Sequence, residues 1–450
     1  MADPRTSRAD LTAALDVQAA RAVEDLRALV AVPSISSETA HHPDVDRAVA
    51  IVADHARDAG AASVDVVVAE GGRPAVLASW PAPAGAPTVL LYAHADVQPT
   101  GPVQEWTSDP FTPTERGGRL YGRGAADDKA GVMMHLAVLR AFGGRPPVGV
   151  VLFVEGEEEV GSPTLPALLA EHRDALRSDV IVIADSANAS VEVPAFTTSL
   201  RGLVDCLVEV SALERPVHSG LYGGAVPDAL TALCRLLATL HDDAGDVAVP
   251  GLVRGTSSAP DLAEDVVRGD AGVLPGVELL GTGTFPERMW HGPAVAVLGM
   301  DVPSTAAASN VLLPRARAKV SLRLGPGQDP DDALGSLTAH LQQQVPWGCH
   351  VEVTPGAVGA PFALETVGTA YDVARGAFEE AYGNAPVEAG IGGSIPFIAE
   401  LARAYPGAAV LVTGVGDPAS RWHGIDESLH LGMWGRACLA EALMLQRLAP

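Results

Sequence analysis

Positive charge is scarce in this sequence. Its 30 lysines and arginines face 55 aspartates and glutamates, for a formal net charge of −25, and only Lys129 and Lys319 are lysines. Such a surface repels phosphate backbones and anionic lipid, which argues against nucleic-acid and membrane partners and favours solubility. Cysteine is scarce too. Cys206, Cys234, Cys349 and Cys438 lie far apart with no CxxC pair, so neither a disulfide framework nor a thiolate zinc site is expected. No run of about 18 uncharged apolar residues occurs, which argues against a membrane-spanning helix. The first residues lack the basic-then-apolar order of a signal peptide. Cytoplasmic location is the expectation.

What is present is core-forming material: 48% of 450 residues are hydrophobic, enough for two or three domains. After an amphipathic stretch at 11–32 come short apolar runs at 64–68, 75–78, 88–93, 148–154 and 180–184, with another at 408–413. Nearly continuous apolar runs of strand length suit strands buried on both faces of a sheet. Helical patterns at 129–142, 164–176 and 429–448 accompany them. The middle of the chain differs. Along 316–324 Ala316, Ala318, Val320, Leu322 and Leu324 alternate with Arg317, Lys319, Ser321 and Arg323, a period of two that puts the charges on one face. A second half-exposed strand at 203–210, helices at 228–241 and 331–345, and an irregular Gly- and Pro-rich stretch at 244–293 complete this region. The expectation is an α/β fold: a catalytic domain (1–198 and 359–450) with a mixed, largely parallel sheet flanked by helices, and an inserted α+β domain at 199–358.

Three of the buried-strand candidates run into a potential metal ligand. The first meets His94 followed by Asp96, the second the acidic run Glu155-Gly-Glu157-Glu158-Glu159, the third Asp185. Ligand crevices of open α/β sheets lie beyond the carboxyl ends of strands, so three segments would deliver His, Glu and Asp to one sheet edge. Singly, each has a plain alternative: a surface histidine, a solvated acidic turn, a helix N-cap. Together they are costly without a cation to neutralise them. The loop Tyr121-Gly-Arg-Gly-Ala-Ala-Asp127-Asp128-Lys129 lacks the Gly-Lys-Ser/Thr ending of a phosphate loop, and its adjacent acids suit cation coordination. His135, on the following helix, reads as a core or surface histidine.

The ordered set His94-Ala-Asp96-Val-Gln-Pro99, Gly122 to Lys129, Glu155 to Ser162, Asp185 and His423-Gly-Ile-Asp-Glu427 resembles the co-catalytic (di-zinc) metallopeptidase family of aminoacylases, glutamate carboxypeptidases and dipeptidases. His218-Ser-Gly-Leu-Tyr-Gly-Gly224, Ser321-Leu-Arg323-Leu and Gly392-Gly393-Ser394-Ile-Pro396 resemble its carnosinase-like dipeptidase branch. The resemblance implies two divalent metal ions per subunit, zinc or else manganese or cobalt, on His94, Asp127, Glu159, Asp185 and His423, with Asp127 bridging and the Asp127–Asp128 peptide cis. It implies Glu158 as the general base that takes a proton from the attacking water, and Asp96 as the carboxylate that orients His94. His218 would stabilise the oxyanion, reaching across a homodimer formed by the inserted lid domain. Asn310, Arg323, Gly392, Gly393 and Ser394 would hold the C-terminal carboxylate of a dipeptide. In this family Asp at the place of Asp185 goes with aminopeptidases and dipeptidases, and Glu with carboxypeptidases and deacylases. An N-acyl-amino-acid deacylase, a desuccinylase or a carboxypeptidase is the alternative, followed by a catalytically silent binding protein. Ala93, Ala130, Asp426 and Arg215-Pro216 depart from the family pattern, which touches substrate preference more than metal binding.

Overall fold

The computed structural model describes residues 7–257, 259–364, 366–392 and 396–450. The chain forms two compact units, Met1–Thr198 with Glu365–Glu388 and Ile395–Pro450, and Ser199–Leu364 with Ala389–Ser394. The second unit thus reaches past the expected boundary at 358, because Phe362–Ala363 pairs with Leu200 and Ser199.

The first unit is built on a six-stranded sheet in the order Ser63–Val67, Ala75–Trp80, Gly149–Glu155, Thr88–His94, Val180–Ile183, Ala409–Val412. The last four strands run parallel and the first two pair antiparallel, as a mixed, largely parallel sheet should. Gly149–Glu155 and Val180–Ile183 are buried along their whole length, which is why their apolar runs show no alternation. The expectation of two-faced burial fails at Ser63–Val67. It is the edge strand, and Val66 stands 48% exposed. Helix Lys129–Ala141 is buried on almost every side, between Arg8–Val30 and Leu431–Leu448. The helix expected at 164–176 closes at Glu171, and residues 172–176 continue as turns that still bury Leu176. Among the described residues no helix is long and apolar enough to cross a membrane.

The second unit carries an antiparallel four-stranded sheet ordered Ala294–Asp301, Arg315–Leu324, Gly202–Ser211, His350–Gly359. Helices Ala229–Ala238 and Pro330–Gln344 cover one face of it. Val204, Cys206, Val208 and Val210 form the core there with Ala316, Ala318, Val320, Leu322 and Leu324. The opposite face keeps the charges, following the period-two alternation. Among its described residues the irregular stretch 244–293 holds the short helix Glu264–Asp270 and one turn of π-helix, Glu287–His291.

Candidate metal centre

Parallel register is what gathers the candidate ligands of the first unit. His94 ends its strand opposite Glu155, and Tyr92 pairs with Ile183, so chain continuation sets Asp185 level with His94. Beyond Glu155 the chain turns through a 3₁₀ segment, Glu158–Val160. Asp127 arrives on the loop ahead of helix Lys129–Ala141, and the Asp127–Asp128 peptide bond is cis. His423 comes from a loop in which Arg421, His423 and Asp426 all take positive φ, a rare conformation for residues other than glycine that clusters at functional sites.

These side chains meet. Asp127 sets Oδ1 3.2 Å from His94 Nε2 and Oδ2 3.0 Å from His423 Nε2. His423 Nε2 is also 3.2 Å from Glu159 Oε2. His94 Nε2 lies 3.9 Å from both Glu158 Oε2 and Asp185 Oδ2. Ligand atoms of His94, Glu158 and Asp185, and likewise of His94, Asp127 and Glu159, fall within 4.8 Å of one another.

The electrostatics show a cluster short of positive charge. Burial and nearby carboxylates push Asp185 up to about 7 and Glu158 well above the ordinary carboxylate range, and Glu159 is raised for the same reasons. Burial opposes a charge on His94, yet Asp127, Asp96, Glu158 and Asp185 hold it well above the ordinary imidazole range. Hydrogen bonds to Asp127 and Glu159 raise His423 to about 10. Five carboxylates, Asp96, Asp127, Glu158, Glu159 and Asp185, share two imidazoles, an imbalance that a divalent cation relieves. The donors are oxygen and nitrogen only, a set that fits zinc and also manganese or cobalt.

Supporting contacts divide the labour between neighbouring residues. Asp96 does more than face His94. His94 Nδ1 lies 3.1 Å from its backbone oxygen and 3.4 Å from its Oδ1, while its two carboxylate oxygens accept the N–H groups of Glu158 and Glu159 at 3.1 and 3.0 Å. Gln98 then pins Glu159, with its N–H 3.1 Å from Oε1 and its Nε2 2.9 Å from Oε2. Neither the Asp96 anchor nor the Gln98 clamp was expected from sequence. Glu427 was quoted only as the end of a motif, yet it is wholly buried. It accepts from Gly124, Ala126 and Asp127 N–H at 2.9–3.1 Å and from Arg123 Nη1 at 2.7 Å. Tyr92 donates to buried Glu155, which also accepts from Ser162 Oγ at 2.9 Å, and burial raises that carboxyl to about 7. Lys129, wholly buried and lowered to about 7 by desolvation, caps the carbonyls of Leu29 and Val32. His135 is the core histidine of the two alternatives, bound to Glu441 at 2.7 Å.

Gly131 leaves room for Asp128. A Cβ there would sit 2.2 Å from Asp128 Oδ1. Gly131→Ala is therefore expected to cost about 1–3 kcal/mol through overpacking. A melting temperature equal to the parent's would show that the contact relaxes freely.

In the second unit, Val217–His218 pairs with Val311–Leu312, and Ser219 N–H donates to Asn310 O at 3.0 Å, so His218 and Asn310 are neighbours. The exposed His218 accepts from Gly220 N–H through Nδ1 at 3.0 Å. Arg323 stands on the charged face of the sheet. Gly392 is described, whereas Gly393 and Ser394 lie outside the described residues.

Comparison with known proteins adds to this geometry. A family model described as peptidase family M20/M25/M40 matches residues 90–446. The chain is 37% identical over 367 residues to a cysteinylglycine-S-conjugate dipeptidase of Corynebacterium striatum, covering 80% of this chain and 81% of that one. It is 30% identical over 366 residues to a beta-Ala-His dipeptidase of Rattus norvegicus, covering 76% and 73%. The crystal structure of human carnosine dipeptidase 1 superposes with a TM-score of 0.80 at 25% identity, covering 98% of both chains.

Proposed function

The chain belongs to the M20/M25/M40 peptidase family, and from that premise we propose that it hydrolyses dipeptides with a pair of divalent cations. The observation that carries the metal dependence is the gathering of His94, Asp127, Glu159, Asp185 and His423, in which the carboxyls of Glu159 and Asp185 and both imidazoles are raised. The two relatives reported above support a dipeptide as substrate.

Paired divalent cations supply Lewis-acid polarisation of the scissile carbonyl and lower the pKa of water towards about 7. Asp127, whose two oxygens face different imidazoles, would hold both cations, with His94 and Asp185 holding one and Glu159 and His423 the other. Glu158 takes the proton of the attacking water and returns it to the departing amine. Its backbone is fixed by Asp96 and its carboxyl is not clamped as that of Glu159 is. In the second unit, Arg323 takes the C-terminal carboxylate with its planar fork, Asn310 and the Gly392–Ser394 loop add hydrogen bonds, and His218 donates to the oxyanion. That unit is also the dimerisation element, with Val297, Leu298 and Met300 exposed along its edge strand. Zinc is the metal and the cytoplasm the compartment this reading favours.

Metal-loaded protein is expected to cleave Ala- and Gly-containing dipeptides and to leave N-acetyl and N-succinyl amino acids intact. Cleavage of the acylated set alone would make it a deacylase. Chelation is expected to abolish turnover, and zinc, manganese or cobalt to restore it. Activity that survives full removal of metal, checked by elemental analysis, would overturn the metal dependence.

A further inference from the structure

We propose that Arg201 and Arg323 form a two-guanidinium receptor that selects dipeptides whose C-terminal residue carries a carboxylate of its own. The proposal rests on the dipeptidase reading and adds to it a residue, Arg201, and a substrate class, Xaa-Glu and Xaa-Asp.

The argument starts on the uncovered face of the second unit's sheet. Arg315, Arg317 and Lys319 line up there, and each has an acid: Glu209 at 3.8 Å, Asp301 at 2.8 Å from Nε, and Asp205 at 3.0 Å. Arg323 continues that row. It pairs in register with Leu203, so Arg201, two residues earlier on the same face, is its diagonal neighbour. Among the described residues neither Arg201 nor Arg323 has an acid partner or a side-chain hydrogen bond, and Arg201 Nε is buried with nothing to donate to. Burial, and after it the charge of Arg323, lowers the Arg201 guanidinium to about 10. In a chain with 55 acids to 30 basic residues, two adjacent unpaired guanidiniums mark a place kept for an anion.

The surroundings leave room for one. Ala294 stands across from Arg323 and Gly359 across from Leu203, both small. Gly392 approaches so closely that a Cβ on it would lie 2.7 Å from Arg201 Nη2. Arg201 also walls a cavity of about 500 Å³ together with Ala294 and Val295. The acids in that wall are engaged elsewhere, Asp246 with Arg254 and Thr282, Glu287 with the N–H of Thr284. Charge then sets the ligand. A single C-terminal carboxylate answers one guanidinium and leaves the other desolvated and unpaired, whereas a C-terminal Glu or Asp answers both.

Calorimetric binding of L-glutamate and L-glutamine to the metal-loaded enzyme tests the pair without relying on turnover. Glutamate is expected to bind about 10- to 100-fold more tightly, the worth of a charge-assisted hydrogen bond. Arg201→Met should erase the difference, and Arg201→Lys, which keeps the charge without the fork, should leave a smaller one. Equal binding in the parent, or an undiminished preference in a folded Arg201→Met or Arg201→Lys protein, overturns the proposal. Hydrolysis of Ala-Glu and Ala-Gln is read alongside. Selective glutamate binding with no cleavage of either peptide would leave the receptor standing and remove the dipeptidase reading instead.

Discussion

Replacing Glu158 by glutamine is expected to lower kcat for dipeptide hydrolysis about 100- to 10,000-fold, the usual worth of a positioned acid–base group. Metal content per chain should stay unchanged. The expectation follows from how adjacent glutamates are held. Glu159 is tied down by Gln98 and reaches His423, while Glu158 is fixed through its backbone, its N–H on Asp96 and its carbonyl on Gly161 N–H, and turns its carboxyl towards His94 at 3.9 Å. Glutamine keeps the size of that side chain and its oxygen, but it accepts no proton. A rival assignment rests on the same geometry, because Glu158, His94 and Asp185 are close enough to share one ion. Elemental analysis of the variant decides between them. A fall in bound metal would make Glu158 a ligand, and near-parent turnover would end its role as base.

The side chains that meet in the cluster were largely legible in the sequence because the chemistry advertises itself at strand ends. An apolar run of strand length followed at once by His94, by the acidic run Glu155-Gly-Glu157-Glu158-Glu159 or by Asp185 is visible without a structure. The parallel register then does the rest by bringing those ends level. What stayed hidden were groups whose importance lies in their contacts. Nothing in the run Val97-Gln98-Pro99 says that an amide will clamp a carboxylate some sixty positions away. Asp96 invites a partnership with His94, two residues before it, and its grip on two later N–H groups depends on how the 3₁₀ turn at Glu158–Val160 comes to rest. Arg201 carries no local signal. Only the register of its sheet makes it the diagonal neighbour of Arg323.

The fold divides in the same way. Strong periodicity survived: the alternation along Arg315–Leu324 reappears as a buried row of Ala316, Ala318, Val320, Leu322 and Leu324. Weakly apolar edge strands did not announce themselves. Ala294–Asp301 and His350–Gly359 bury little, so their runs lack a core-facing pattern. Helix Thr369–Tyr382 lies outside the helical patterns expected from the sequence, although its spacing carries one. Tyr371, Ala374, Phe378 and Ala381 follow the helical spacing of three and four, and Phe378 packs edge-on against Phe196 at 5.0 Å. Its alanines and glycine dilute the apolar stripe.

The largest expected loss of stability belongs to Glu427, which no ligand motif flags as structural. Its carboxylate is wholly buried and gathers four donors, three of them amides of the loop that delivers Asp127. Glu427→Ala removes all four partners at once and leaves Arg123, only 1% exposed, as a buried charge without its acid. Breaking such a pair from one side costs about 3–5 kcal/mol. Among the described residues Arg123 then keeps the carbonyls of Pro99 and Gly424 and the face of the Trp106 ring, none of them an acid. The same change frees the Asp127 amide, so metal affinity should fall about 10- to 100-fold, as it does when groups that orient ligands are lost. Arg123→Met with Glu427→Ala tests the origin of the cost. Removing both charges should cost no more than the single change, because no unpaired guanidinium is left behind, although the freed amides remain. Denaturant unfolding of the metal-loaded proteins measures all three. A Glu427→Ala protein within about 1 kcal/mol of the parent would mean that water replaces the carboxylate and that the loop holding Asp127 stands without it.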